Sequence, residues 1–200
     1  MQEFWNKRYA ENEMVFGYKP NQFFKLFIDL HISGTLLLPA EGEGRNAVYA
    51  AEKGWQVDAF DFSATAKEKA LKYAASKNVP INYTLQNIAE FVATKQYDAV
   101  ALCYVHLPEP LRNTFHQEVY KAVKPGGFIF LEAFAKNQLQ YNSGGPKDID
   151  MLYAKADICK DFPLLDFKTC EEMELVLDEG PFHQGKAAVL RLIGQKNEEF

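Results

Sequence analysis

The sequence predicts a three-layer α/β sandwich: a mostly parallel seven-stranded sheet with an antiparallel last strand, helices covering both faces. Two observations predict it. Short apolar runs alternate with helical patterns along most of the chain, as in βαβ units joined by right-handed crossovers. Near the end the alternation stops, and two strand-like runs follow one another across a turn-rich loop. Strands joined that closely must be antiparallel neighbours.

The elements read in order. Thr35–Pro39 is short and apolar, as a buried parallel strand should be. Residues 45–53 carry Ala47, Val48, Ala50 and Ala51 at helical spacing, and Gly54 ends them. Residues 55–60 read as the second strand. Ser63 is an N-cap residue for a helix reaching about Lys77. Pro80 precedes a third strand at 81–85, and 97–104 is a fourth. Residues 108–123 place Leu111, Phe115, Val119 and Ala122 on one helical face. The turn Lys124-Pro125-Gly126-Gly127 separates that helix from a fifth strand at 128–133. The closing pair is 166–177 and 186–193, linked by Asp178-Glu179-Gly180-Pro181-Phe182-His183-Gln184-Gly185. Residues 137–150 form the one long polar loop, and such loops are often functional.

With 200 residues, one domain is expected, divided into an N-terminal helical lid (1–33), a ligand-binding core (34–135) and a second-substrate loop with the final hairpin (136–200). Twenty-two basic against 27 acidic residues give a net charge of −5. That balance argues against nucleic acid as a partner. Lys67, Lys69, Lys72 and Lys77 cluster at helical spacing and read as a solvated helix face. The three cysteines, Cys103, Cys159 and Cys170, are far apart in sequence and lack zinc or disulfide-frame spacing. Reduced thiols, the lack of an apolar leader and the lack of a membrane-length apolar run predict a cytoplasmic protein without a membrane partner.

The chemistry-bearing pattern begins where the first strand ends, at Ala40-Glu41-Gly42-Glu43-Gly44-Arg45-Asn46-Ala47. Gly42 and Gly44 allow a sharp turn and a close backbone approach to a ligand. Asp61, 17 residues after Gly44 and at the end of the second strand, stands where a carboxylate accepts ribose hydroxyls. A glycine loop and a strand-end acid in this order indicate an adenosine-containing cofactor. A dinucleotide would bring its pyrophosphate to the following helix, beside Glu41 and Glu43. Each such carboxylate–phosphate pair repels by about 1–4 kcal/mol. The acids suit a ligand bearing an ammonium and a sulfonium, which favours S-adenosylmethionine over NAD.

Further along, Tyr104 and His106 follow the fourth strand and are placed to face a ligand at the carboxyl edge of the sheet. His106 is the first candidate for accepting a proton. Glu132 closes the apolar fifth strand, and His183 lies in the last hairpin near the same mouth. Asn87 and Ile88 read, from the residues alone, as a helix cap and a core residue. Tyr141 and Gly144-Gly145-Pro146 are candidates for a lid. Trp5, Tyr9, Phe16 and Tyr18 offer ring faces to a sulfonium, or pack an N-terminal helix on the core. His31 and His116 lie on helices and read as structural.

The sequence resembles the class I S-adenosylmethionine-dependent methyltransferases, close to the tellurite-resistance and thiopurine methyltransferase-like group. The resemblance rests on residues 4–9 and 16–21 as a segment closing over the cofactor, Glu41–Asn46 as the glycine motif, Asp61-Phe62-Ser63, Lys124–Gly127 and the hairpin from Asp178 to Val189. It implies a Rossmann-like fold and S-adenosyl-L-methionine held by Tyr18, Glu41, Gly42, Gly44, Asn46, Asp61, Phe62, Asn87, Ile88 and Tyr104. It also implies methyl transfer to a small-molecule acceptor, a thiol or a selenium or tellurium oxyanion, with His106, His183 and Glu132 nearest the chemistry and the chain a monomer or homodimer. Leu38 and Ala40 depart from the family, which carries an acid and a glycine there. An NAD-dependent oxidoreductase and a non-catalytic S-adenosylmethionine-binding module are the alternatives.

Overall fold

In the computed structural model, which describes residues 2–198, helices α1 (Gln2–Glu11) and α2 (Gln22–Leu30) precede the first strand. The core then alternates β1 (Thr35–Pro39), α3 (Arg45–Glu52), β2 (Gln56–Asp61), α4 (Ala64–Ser76), β3 (Asn82–Leu85), β4 (Tyr97–Cys103), α5 (Glu109–Lys121) and β5 (Val123–Phe134). Helix α6 (Lys155–Asp161) leads into β6 (Leu165–Asp178) and β7 (Gln184–Lys196). The sheet order is β3-β2-β1-β4-β5-β7-β6. Strands β1 to β5 pair in parallel, and β7 runs antiparallel to both neighbours. This is the predicted Rossmann-like sandwich.

Alternation along each strand sends side chains to two cores. Leu36, Leu38, Val57, Ala59, Ala99 and Ala101 meet Phe24, Phe27 and Ile28 of α2 with Ala47, Ala50 and Ala70 of α3 and α4. On the opposite face Leu37, Phe60, Val100, Leu102, Ile129 and Leu131 meet Phe115 and Val119 of α5 and Ile158 of α6. Strands buried on both sides need to be apolar at successive positions, which is why β1 and β4 stand out in the sequence. Each buried Phe, Leu or Ile contributes about 1.5–3 kcal/mol.

The structure departs from the sequence reading chiefly in three places. Strand β5 begins at Val123, ahead of the Lys-Pro-Gly-Gly turn. Val123 pairs with Tyr97, and pairing resumes at Ala99 with Phe128, so the turn bulges out within the strand. Pro125 lacks an N–H for the ladder, and Gly126 at φ +76° supplies the kink. Helix α6 was not expected. Its seven residues bury only Ile158, too little to show a period. The long polar loop contains turns at Lys136–Gln140 and Ile149–Met151.

Among the described residues no helix is long and apolar enough to cross a membrane. The predicted solvated lysine face also needs amending, because Lys69 turns inward. Its ammonium donates to the carbonyls of Tyr9, Asn12 and Glu13 and pairs with Glu43. It therefore caps the end of α1 and fixes that helix over α4.

Candidate functional site

Strands β1, β2, β4 and β5 end on one edge of the sheet, where β1 and β4 lead into the loops to α3 and α5. In an open α/β sheet this carboxyl edge is where ligands bind. The β1–α3 loop turns with Ala40, Gly42 and Gly44 all at positive φ (50°, 68° and 84°). A Cβ on Gly42 would lie 2.8 Å from the Tyr9 hydroxyl, and one on Gly44 would lie 2.7 Å from Ala70 Cβ. Glycine is required at both by conformation and by space.

The expected acids are here, and the structure shows what holds each. Gly44, as N-cap of α3, has no side chain to satisfy the helix N–H groups. Glu41 does so from three residues earlier: its Oε1 accepts from the N–H groups of Asn46 (2.9 Å) and Ala47 (2.7 Å). Burial pushes the Glu41 carboxyl up to about 7 despite these bonds. Asp61 accepts from Gly42 N–H (3.1 Å) and Ser63 N–H (2.9 Å), tying the glycine loop to the end of β2. Burial also raises the Asp61 carboxyl. Its oxygens keep lone pairs for a diol. Glu43 accepts from Val15 N–H at 2.7 Å and is paired with Lys69.

A second group of buried charges lies beside these. Glu132, only 1% exposed, accepts from Asn21 and from the Tyr104 hydroxyl, and pairs with Arg191. The strand register dictates the last contact, since Glu132 on β5 stands opposite Arg191 on β7. Glu179, 5% exposed, accepts from Asn21 (3.0 Å) and forms a 2.7 Å ion pair with Arg45. Burial alone would raise the Glu179 carboxyl, but His183 and Arg45 override it and hold it at about 2. Asn21 is the hub. Its backbone N–H donates to Asn46, its side-chain oxygen caps α2 at Phe24, and its amide N–H groups reach both carboxylates.

The remaining predicted residues divide. Tyr104, at φ +55°, is held at the mouth with its hydroxyl on Glu132, a strained backbone of the kind found at functional sites. His183 is 5% exposed, surrounded by the rings of Phe16, Tyr104 and Phe134 at centroid distances of 4.4, 4.5 and 5.2 Å. Its Nδ1 is buried and lies 3.9 Å from Glu179 Oε2, longer than an ordinary hydrogen bond but near enough for the ring to favour the Glu179 carboxylate. Burial lowers its pKa, the Glu179 carboxylate opposes that shift, and Arg45 adds to it. Burial and Arg45 thus favour the neutral ring.

His106 is placed differently from the expectation. Its Nδ1 donates to the Met151 carbonyl (2.8 Å), and its Nε2 accepts from Phe134 N–H (3.3 Å). Burial lowers its pKa to about 4. With both nitrogens engaged by backbone, it braces the loop after β4 and has no lone pair free for a proton. Tyr18 is 48% exposed, donates to Glu13 and packs on Tyr73, on the outer side of the N-terminal segment. Tyr9, stacked on Trp5 and buried against the glycine loop, is the aromatic that reaches the site. Asn87 is an exposed residue whose side-chain oxygen accepts from Ala89 N–H, capping the turn Ile88–Glu90. Ile88 is buried in the α5-side core. These two take the cap and core alternative. The Phe62 carbonyl accepts from Gln2, which draws α1 over the end of β2. His31 ends α2, with Nδ1 on the Phe27 carbonyl, and His116 is buried in α5 against Asp161.

Three segments roof the edge. A Cβ on Gly180 would lie 2.5 Å from the Phe16 carbonyl carbon, one on Gly144 2.7 Å from His183 Cδ2, and one on Gly145 2.6 Å from the Phe134 ring. The N-terminal segment, the β6–β7 turn and the 141–147 loop therefore meet in direct contact. Tyr141 lies outside, its hydroxyl on Glu174. Sequence reasoning quoted Asn21, Arg45 and Glu179 within motifs without assigning them roles. The signal was faint: Asn21 follows Pro20 and precedes the apolar period of α2, as an N-cap residue does.

Comparison with known proteins agrees with this fold. A methyltransferase-domain family model matches residues 39–127, the stretch from the end of β1 to the bulge in β5. A ubiquinone biosynthesis O-methyltransferase from Rickettsia bellii is 30% identical over 105 residues, covering 52% of this chain and 43% of that protein. A 2-heptyl-1-hydroxyquinolin-4(1H)-one methyltransferase from Mycobacteroides abscessus is 24% identical over 140 residues, covering 66% and 60%. The chain thus spans about half the length of the curated relatives it matches. Among solved structures, the N-methyltransferase NodS from Bradyrhizobium japonicum with bound S-adenosyl-L-homocysteine superposes with a TM-score of 0.77 at 13% identity, covering 98% of each chain. TehB from Haemophilus influenzae gives 0.76 at 15% identity, covering 98% of this chain and 67% of that one. At these identities the likeness is one of fold.

Proposed function

We propose that this chain, which carries a class I methyltransferase domain over its central strands, is an S-adenosyl-L-methionine-dependent methyltransferase acting on a small molecule with an ionisable hydroxyl or thiol. One observation carries the choice of cofactor. The N-terminus of α3, where a dinucleotide pyrophosphate would need free N–H groups, is occupied by the protein's own carboxyl, Glu41. The pyrophosphate of NAD would find those donors already taken. S-adenosyl-L-methionine, with its ammonium and sulfonium, meets an edge rich in acids: Glu41, Glu43, Asp61, Glu132 and Glu179 against Arg45, Lys69 and Arg191.

The residues present fit this group. Asp61 is fixed by two backbone N–H groups with lone pairs left for a ribose diol, and the Gly42–Gly44 turn leaves no Cβ in its path. Tyr9 closes over the turn, and the Tyr104 ring packs against His183. The bound cofactor supplies a methyl group on a good neutral leaving group. What remains for the protein is to align the acceptor, exclude water and remove a proton where the acceptor carries one. His183 is the residue for the last task, in place of His106. Burial favours its neutral form, aromatics ring it and exclude water, and it lies within 3.9 Å of a Glu179 carboxylate that would stabilise the imidazolium formed. One relative is named as an O-methyltransferase and another for a hydroxyquinolinone acceptor, which supports a hydroxyl over an oxyanion.

The test is calorimetry with S-adenosyl-L-methionine and NADH on the parent and on Asp61→Ala, then turnover of a hydroxyl and thiol acceptor panel by His183→Ala and His106→Ala. Expected are binding of the first ligand only and at least a tenfold loss in Asp61→Ala. For His183→Ala we expect turnover slowed 10²-fold or more with cofactor affinity nearly intact. NADH binding, or an Asp61→Ala protein binding as the parent does, would overturn the cofactor assignment. An unimpaired His183→Ala would remove the base.

A further inference from the structure

Two of the three cysteines, 11 positions apart in sequence, come together away from the cofactor edge. Cys159 on α6 and Cys170 on β6 place their sulfur atoms 3.7 Å apart, in contact but unbonded. Both belong to the core between the sheet and α5. Cys170 is buried, and Cys159 is partly exposed beside it. Cys103 belongs to the other face of the sheet, at the end of β4. Among the described residues no group of three or more His, Cys, Asp or Glu forms a metal-binding cluster, so the pair is a dithiol rather than part of a metal site.

We propose that Cys159 and Cys170 are an oxidation site, a dithiol that a hydroperoxide converts to a disulfide stapling α6 to β6. A disulfide needs its sulfurs about 2.05 Å apart, and the observed 3.7 Å contact already brings them to touching distance. The roles follow from access. The Cys159 thiolate attacks a peroxide oxygen, the O–O bond breaks, and Cys159 becomes a sulfenic acid while hydroxide or alkoxide leaves with the proton. The Cys170 sulfur then attacks Cys159 sulfur, the S–O bond breaks, and the departing hydroxide takes the Cys170 proton as water. Two thiols are oxidised, and one peroxide is reduced to two water molecules, or to water and an alcohol. Burial, and then the contact with Cys159, push the Cys170 thiol up to about 11, which fits the resolving and not the attacking role.

The position gives the bond a consequence. Helix α6 is held to α5 by Asp161, which accepts from Arg112 and His116 at 2.7 Å each. Just before α6, Tyr153 donates to the Val105 carbonyl and accepts from Leu107 N–H, and Met151 receives the His106 bond. The segment 151–161 therefore braces the loop that carries Tyr104. A staple between α6 and β6 would fix this brace to the sheet edge.

The experiment treats the purified full-length protein with one to ten equivalents of hydrogen peroxide, blocks free thiols with N-ethylmaleimide under denaturing conditions, and maps tryptic peptides by mass. The diagnostic product joins 156–160 to 169–186 and is lighter than the two peptides by two hydrogens. We expect that product from the parent, reversed by dithiothreitol, with Cys103 still alkylated. Cys159→Ser and Cys170→Ser should each abolish it. The melting midpoint should rise by several degrees on oxidation of the parent and stay unchanged for either serine variant. Both variants are first checked against the reduced parent by circular dichroism, and Cys159→Ala with Cys170→Ala serve if serine is not tolerated. Over-oxidation without the linked peptide, cross-links only between molecules, or linkage through Cys103 would overturn the proposal. None of these outcomes depends on the methyltransferase reading.

Discussion

Replacing Glu179 with Gln strands a buried cation, and the cost can be worked from the structure. The Arg45 and Glu179 side chains are 8% and 5% exposed and meet at 2.7 Å. At an effective dielectric of about 20, a contact of that length is worth roughly 6 kcal/mol of Coulomb attraction. Taking both ions from water costs a comparable amount, so the intact pair is close to neutral. Removing one partner leaves the desolvation of the other uncompensated, at about 3–5 kcal/mol. Arg45 keeps weaker bonds to the carbonyls of Phe16 and Lys19, at 3.5 and 3.3 Å, so the lower end is expected. About 3 kcal/mol in a chain of this length lowers the melting midpoint by roughly 6–12 °C. The assay is urea unfolding at pH 7 of the parent, Glu179→Gln, Arg45→Met and the double variant. The double variant, an apolar and neutral pairing, should be less unstable than the sum of the singles by at least 1 kcal/mol. Additive losses, or a single-variant cost below about 1 kcal/mol, would refute the reasoning.

Other predictions follow from the same residues. Glu41→Gln keeps an acceptor for α3 and removes a buried charge. The folded carboxyl titrates near 7, above its ordinary 4.5, so its contribution is full below about pH 4.5 and is lost as pH rises through 7. Relative to the parent, the variant should gain stability between pH 5 and 8, by about 3 kcal/mol at most, read from urea midpoints; parallel pH profiles would contradict this. Gly42→Ala combines φ +68° with a Cβ 2.8 Å from the Tyr9 hydroxyl. It should cost about 2 kcal/mol or more, and adding Tyr9→Phe should recover part of the loss in thermal melts. No recovery would show that the strain lies in the backbone alone. Ser63→Ala removes the bond to Ala66 N–H at the start of α4 and should cost about 1 kcal/mol by urea titration; an unchanged midpoint would mean that solvent replaces the cap.

The parallel core was legible because its signals are local. β1 and β4 are apolar at consecutive positions, and Ser63 announces α4. Helix α6 was missed because seven residues with one fully buried side chain carry no period. At the site, Gly42, Gly44, Asp61 and Glu41 were readable from spacing along one βαβ unit. The partners that fix the second cluster were not, because Asn21 meets Glu132 and Glu179 across 111 and 158 positions of chain. A single sequence has no mark for such pairings. His106 was misjudged for the same reason, since its nitrogens are claimed by Met151 and Phe134, 45 and 28 residues away.

Those long spans have a consequence during synthesis. Asn21 and Arg45 leave the ribosome early, and the carboxylate that joins them, Glu179, emerges more than 130 residues later. Until then the nascent polypeptide holds a cation and an amide without the anion that accepts from both. A translation product stopped before Glu179 carries the glycine turn and Asp61 but leaves Arg45 without its anion, so the final hairpin is what completes this cluster of charges.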